Sequence, residues 1–166
     1  MKERVTDMNS VEARQAAVVR RAGEGDQRWF FGGGVWTWKV SEAESDGTLS
    51  IVEVAMGRDK VTPLHTHPIA ESLWVLAGEI LYHVDGEEIA LGRDDFVLVP
   101  AGVPHAFKVV SDEARVLGIQ PSTECEPFYL GASEPLEGSA RETDFGRIAE
   151  SGRLNGGIEI LGPPPF

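Results

Sequence analysis

The chain has 166 residues, 42% of them hydrophobic and 25% charged, enough for one domain with a buried core and an arm at either end. Its formal net charge of −12, with lysine and arginine scattered, argues against nucleic acid or an anionic membrane surface as partners, because both would repel it. No apolar run approaches the roughly 20 residues that span a bilayer, and MKERVTDMNSVEARQ lacks the apolar stretch of a secretory signal, so a cytoplasmic location is expected.

The 19 glycines and 10 prolines favour many short strands over a few long helices. Residues 1–28 are polar and mixed and read as an N-terminal arm. Within them SVEARQAAVV is compatible with a short helix ending before Gly23, or in part with a strand. GGGVWTWKV is a turn followed by a strand that places Trp36 and Trp38 on one face. TLSIVEVAM is the next strand, after a polar turn at ESDG. ESLWVLAGEILYHVDGEEIAL reads as a hairpin-like meander, with a kink or bulge at Gly78 and a tight turn at Asp85–Gly86. DDFVLVP ends at Pro100, and HAFKVV and ARVLGIQ follow, separated by a turn at SDE.

Strands of this length and spacing predict an all-β fold, an antiparallel double-sheet barrel of six to ten strands over residues 29–121. Residues 122–166 form a C-terminal extension. There Ser139 and Glu142 have the spacing of a capping box, so SARETDFGRIAES is predicted helical, with Phe145 and Ile148 on its apolar stripe and Gly152 just beyond its end. The tail GGIEILGPPPF is too apolar to stay in solvent and is expected to pack on the barrel or on a second subunit. The single cysteine, Cys125, cannot form an internal disulfide, and its acidic neighbours disfavour a thiolate.

The chemistry concentrates on the histidines. His65 and His67 stand two apart, so a strand projects both to one face. Glu71, Leu73, Val75 and Ala77 share a face that is apolar apart from the carboxylate, which then needs a partner. His105 alternates with Phe107 and Val109 in the same way. An HxH pair alone is more often surface polarity; the glutamate and the later histidine change that reading. Three imidazole nitrogens and one carboxylate oxygen suit one divalent transition metal: Fe, Mn, Ni, Co, Cu or Zn. Such a set leaves open positions on an octahedral ion, the mark of a reactive rather than a structural site.

If Ile80, Tyr82 and Val84 face inward, the fourth histidine, His83, faces out. Leu73, Tyr82 and Phe107 are the candidate pocket walls, and Tyr82 and Phe107 read equally as plain core. A divalent ion with one carboxylate keeps a net charge of about +1 and favours an oxyanion. Between apolar walls that points to a largely uncharged, aromatic small-molecule substrate with one ionisable oxygen. Glu71 is either a fixed ligand or a base acting on the substrate hydroxyl.

HTHPIAESLWVLAG resembles the first motif of the cupin superfamily, HxH, three residues, Glu, six residues, Gly; PAGVPH resembles the second, PxGxxH. Both occur in order, and the resemblance covers roughly residues 48–120. It implies a double-stranded β-helix, the jelly-roll or cupin barrel, with a short C-terminal helix here, and metal ligation by His65, His67, Glu71 and His105. Two departures concern loops. The opening glycine of the first motif usually stands six positions before the first histidine, whereas Gly57 stands eight before His65. The Gly-Asp pair that usually precedes the PxG turn is Asp94-Asp95 here.

HTHPIAESLWVLAGEI, EPFYLGASEP and GIEILGPPP look like small bacterial single-domain cupins grouped with quercetin 2,3-dioxygenases. That likeness implies a dioxygenase in which dioxygen opens a flavonol-like ring, with Glu71 as the base. Two other readings stay open: a redox-neutral cyclase, isomerase or lyase of the kind cupins provide in bacterial polyketide pathways, and a module that binds a small ligand without catalysis. Cupins commonly pair, so a homodimer is expected.

Overall fold

Residues 16–166 are described by the computed structural model of the chain. Most of the helix expected at SVEARQAAVV therefore lies outside the described residues, and 16–20 carry neither helix nor strand. Two antiparallel sheets face each other. The first runs β11 (Ser133–Pro135), β1 (Asp26–Phe30), β2 (Val35–Val40), β3 (Ser50–Gly57), β10 (Glu113–Gln120), β5 (Glu71–Ala77) and β8 (Phe96–Val99). The second runs β12 (Glu159–Gly162), β4 (Leu64–Thr66), β9 (His105–Val109), β6 (Ile80–Val84) and β7 (Glu87–Leu91). Seven and five strands exceed the expected six to ten because β1, β11 and β12 come from the flanking segments and extend the sheet edges. A three- or four-residue strand such as β11 or β12 carries almost no periodicity by which to find it.

The segment expected as one meander is split between the sheets. β5 belongs to the first and β6 to the second, and Gly78 is the corner between them. Its φ of +76° and the approach of the Glu113 carbonyl, 2.1 Å from where a Cβ would stand, leave room for glycine alone. The true hairpin is β6–β7, whose Asp85 and Gly86 both take positive φ, as a type I′ turn demands. Asp94 adopts φ +72° in the place of the expected glycine, and Asp95 Oδ2 accepts from Gly92 N at 2.8 Å.

Alternating inward residues of both sheets build the main core, with Val75, Ile80, Tyr82 and Val109 fully buried. Burial of Val75, Ile80 and Val109 contributes about 1.5–3 kcal/mol of transfer free energy each. A second core joins Phe30, Phe31 and Trp38 of the β1–β2 region to Phe128 and Tyr129 of α2 (Glu126–Gly131) and Ile148 of α3 (Phe145–Asn155). A short α1 (Glu42–Ser45) follows β2.

α3 differs from its expected bounds at both ends. Asp144 caps it by accepting from Arg147 N at 3.1 Å, whereas Ser139 bonds Glu134 at 2.6 Å and forms no capping box. The helix passes through Gly152, which packs against Ile158, and stops at Gly156 with φ +66°. Ile148 is buried, but Phe145 is 56% exposed. The apolar tail packs on the barrel through β12 against β4. None of the described helices is long and apolar enough to cross a membrane.

Candidate metal centre

The four residues singled out by spacing come together inside the barrel. β4 carries His65, with His67 following it. β9 lies beside β4, with His105 paired to His65. Glu71 opens β5 in the opposite sheet, so the cluster bridges the two layers. The PxG turn is tied to the HxH segment, since Gly102 N donates to the His67 carbonyl at 2.9 Å. One donor atom from each of His65, His67, Glu71 and His105 lies within 4.8 Å of all the others. The three histidines are buried, and the Glu71 side chain is 15% exposed.

The hydrogen bonds fix the tautomers. His65 Nδ1 faces Pro63 O at 2.7 Å, His67 Nδ1 faces Gly157 O at 2.6 Å, and His105 Nδ1 faces Val103 O at 2.9 Å. A carbonyl can only accept, so each Nδ1 carries a proton and each neutral imidazole presents its Nε2 lone pair to the centre. Glu71 Oε2 points at two of these nitrogens, 3.3 Å from His67 Nε2 and 3.1 Å from His105 Nε2. Lone pairs converging on one point repel unless a cation or protons lie between them. The donor set therefore fits a metal ion.

Without one, protons take that role. Burial opposes charge on His67, but the Glu71 carboxylate outweighs it and pushes the imidazole pKa up to about 10. Burial opposes charge on Glu71 as well, yet the His67 charge and the His105 hydrogen bond hold it well below the usual carboxylate range. Burial, followed by the charges of His105 and His67, drives His65 down to about 3. In the metal-free protein the pair's stabilisation is complete between the ordinary values of 4.5 and 6.5. It fades as pH rises toward about 10, where His67 loses its proton, and as acid protonates Glu71. A divalent ion must displace the His67 proton. Binding at pH 7.5 is expected to release about one proton, measured from the buffer dependence of the calorimetric enthalpy. Release of none would mean that His67 is already neutral.

The cluster opens on a cavity of about 580 Å³. Leu73 and Phe107 line it, as do Trp36 and Trp38. Tyr82 does not line it. It is fully buried behind His105, its ring parallel at 6.0 Å and its hydroxyl without a hydrogen-bond partner among the described residues. His83 lies off the cavity, edge-on to Phe166. Cys125 is buried, its thiol donating to the same Gly157 carbonyl at 3.3 Å. Spacing did not disclose that carbonyl, Phe128 or Tyr129, brought in by segments remote from the motifs, nor Lys60, which lies in the connection just ahead of His65.

A two-sheet β-barrel with inward imidazoles and a carboxylate defines the class, a barrel protein with a candidate metal centre at one end of its core. Residues 50–119 match the sequence profile of the Cupin domain family, and this stretch of the chain is a cupin domain. It is 30% identical over 130 residues to a quercetin 2,3-dioxygenase of Bacillus subtilis (strain 168). The match covers 78% of this chain and 38% of that one, so the chain spans well under half of that relative's length. The fold is similar to that of an RmlC-like cupin from Shewanella frigidimarina NCIMB 400, with a TM-score of 0.57 at 18% identity over 65% of this chain and 94% of that one. A DMSP lyase, DddQ, of Ruegeria pomeroyi DSS-3 aligns with a TM-score of 0.49 at 28% identity, over 54% of this chain and 47% of that one.

Proposed function

We propose that His65, His67, Glu71 and His105 hold one divalent transition-metal ion. The centre is then the active site of an enzyme acting on an aromatic compound with an enolisable hydroxyl, as a dioxygenase that opens a flavonol-like ring. One observation carries this reading: three Nε2 lone pairs and a carboxylate converge at a large, mainly apolar cavity. The similarity to a quercetin 2,3-dioxygenase supports it.

Bound there, a metal supplies Lewis acidity and a site for an oxyanion. The chain's own groups do the rest. The backbone carbonyls of Pro63, Val103 and Gly157 hold the three rings in the required tautomer. Glu71, ionised at neutral pH, can accept the substrate's hydroxyl proton at Oε2. Leu73 and Phe107 form apolar walls that exclude water from the reacting end. Tyr82 packs against His105 from behind and acts as a positioning residue.

The test is oxygen uptake by the metal-loaded protein with 3-hydroxyflavone or quercetin. Equimolar consumption of dioxygen and flavonol is expected, abolished in His67→Ala. Product formed with no oxygen consumed would replace the dioxygenase by a redox-neutral reaction at the same centre. Binding with no product under either atmosphere would leave a ligand-binding module.

A further inference from the structure

Lys60 lies in the connection between β3 and β4, the segment where Gly57 and His65 stand eight apart. Its backbone is fastened to the barrel, since its carbonyl accepts from Val109 N at 2.8 Å. Its side chain runs beside the Gly32–Gly33 turn into the cavity wall. A Cβ on Gly32 would stand 2.8 Å from Nζ, so this glycine leaves the amine its space. The ammonium sits 5.6 Å from the centroid of the Phe30 ring. Its oxygen partner among the described residues is a distant carbonyl, Val61 O at 3.4 Å. Lys39 and Lys108 lie 3.3 Å from Glu53 and 3.8 Å from Asp59, but no described carboxylate pairs with Lys60.

A cation in an apolar wall without a counter-ion is costly. Burial already pushes this amine down to about 8, which still leaves it mostly protonated at neutral pH. A ladder of aromatic rings leads from it to the histidines. Phe30 stacks on Trp36 at 4.7 Å, Trp36 meets Tyr129 at 4.7 Å, and Tyr129 faces His67 at 6.2 Å. All of these line the one cavity.

We propose that Lys60 is a specificity-determining residue that holds a carboxylate of the substrate, a second anionic group distinct from the oxygen taken at the histidine–glutamate centre, with the aromatic body of the substrate lying along the ring ladder. This rests on the metal-centred reading above and narrows its substrate class from a largely uncharged aromatic compound to an aromatic acid.

The test compares two probes on the metal-loaded protein, 3-hydroxyflavone and its 4′-carboxylate, and reads the ratio of their dissociation constants. The wild type is expected to favour the carboxylate by about tenfold to a hundredfold, the worth of one charge-assisted contact. Lys60→Met removes the preference and Lys60→Arg keeps it; Lys60→Gln serves if the methionine variant does not fold. A wild type without the preference, or one that fails to bind the carboxylate, overturns the proposal, as does a preference that survives in Lys60→Met. His65→Ala separates the two readings. If the metal-centred reading holds, it weakens both probes and leaves the ratio. If both probes bind this variant as they bind wild type, the metal-centred reading falls, and the ratio still reports on Lys60.

Discussion

Replacing His105 with alanine is expected to strip the protein of metal and to end turnover. His105 is the hub of the cluster. Its Nε2 lies 3.1 Å from Glu71, its backbone pairs with His65, and its ring stacks on Tyr82 at 6.0 Å. Loss of a group that merely orients a ligand costs about tenfold to a hundredfold in metal affinity, so loss of a ligand should exceed that upper figure. Elemental analysis should show occupancy falling from about one equivalent to less than about a tenth. The variant also opens a void beside Tyr82, at a cost of about 2–4 kcal/mol by analogy with other large-to-small core changes. Thermal unfolding of the metal-free forms measures that separately. Full occupancy in a folded His105→Ala protein would remove the site proposed here.

Gly78→Ala should be among the most destabilising single-methyl additions in the chain. Alanine at φ +76° carries backbone strain of about 1 kcal/mol or more. Its Cβ would also lie 2.1 Å from the Glu113 carbonyl oxygen and 2.8 Å from Ala114 Cα, both backbone atoms that cannot turn aside. Overpacking of that kind adds about 1–3 kcal/mol. The sum is about 3 kcal/mol, roughly a 10 °C fall in Tm for a domain of this size. Gly86→Ala is the control. Its φ of +79° is equally left-handed, but nothing lies within 4 Å of the added methyl. Strain alone should cost about 1 kcal/mol there. Equal losses at the two positions would show that the close approach of β10 at the sheet corner does not matter.

The site was legible where chemistry follows strand periodicity. His65 and His67 at i and i+2, and Glu71 ahead of Leu73 and Val75, declare a common inner face before any fold is known. Leu73 and Phe107 reach the cavity by the same alternation. Tyr82 shows the limit of that rule. It faces inward as expected, but alternation cannot tell the core beneath a ligand from the wall of the cavity. The capping box at Ser139 misled because two residues at the right spacing say nothing of competing partners; Glu134 takes the Ser139 hydroxyl, and Asp144 caps the helix. The ring ladder and Lys60 were invisible for another reason. Phe30, Trp36, Lys60 and Tyr129 come from separate stretches of chain, and only the order β1-β2-β3 and the packing of α2 bring them to one wall. Non-local register of that sort leaves no local trace.

The carbonyl of Gly157 sets the His67 ring, and it follows His67 in the chain by 90 residues. A chain is made from its N-terminus, and its early strands can begin to pair before the later ones exist. His65, Glu71 and His105 can therefore meet while the ring of His67 is still free to turn, and the last of the four side chains is aligned only when the segment after α3 has been made and laid against β4. A product cut short before Gly157 lacks the group that orients the His67 ring, so on the metal-centred reading proposed above, metal loading would report on completed synthesis.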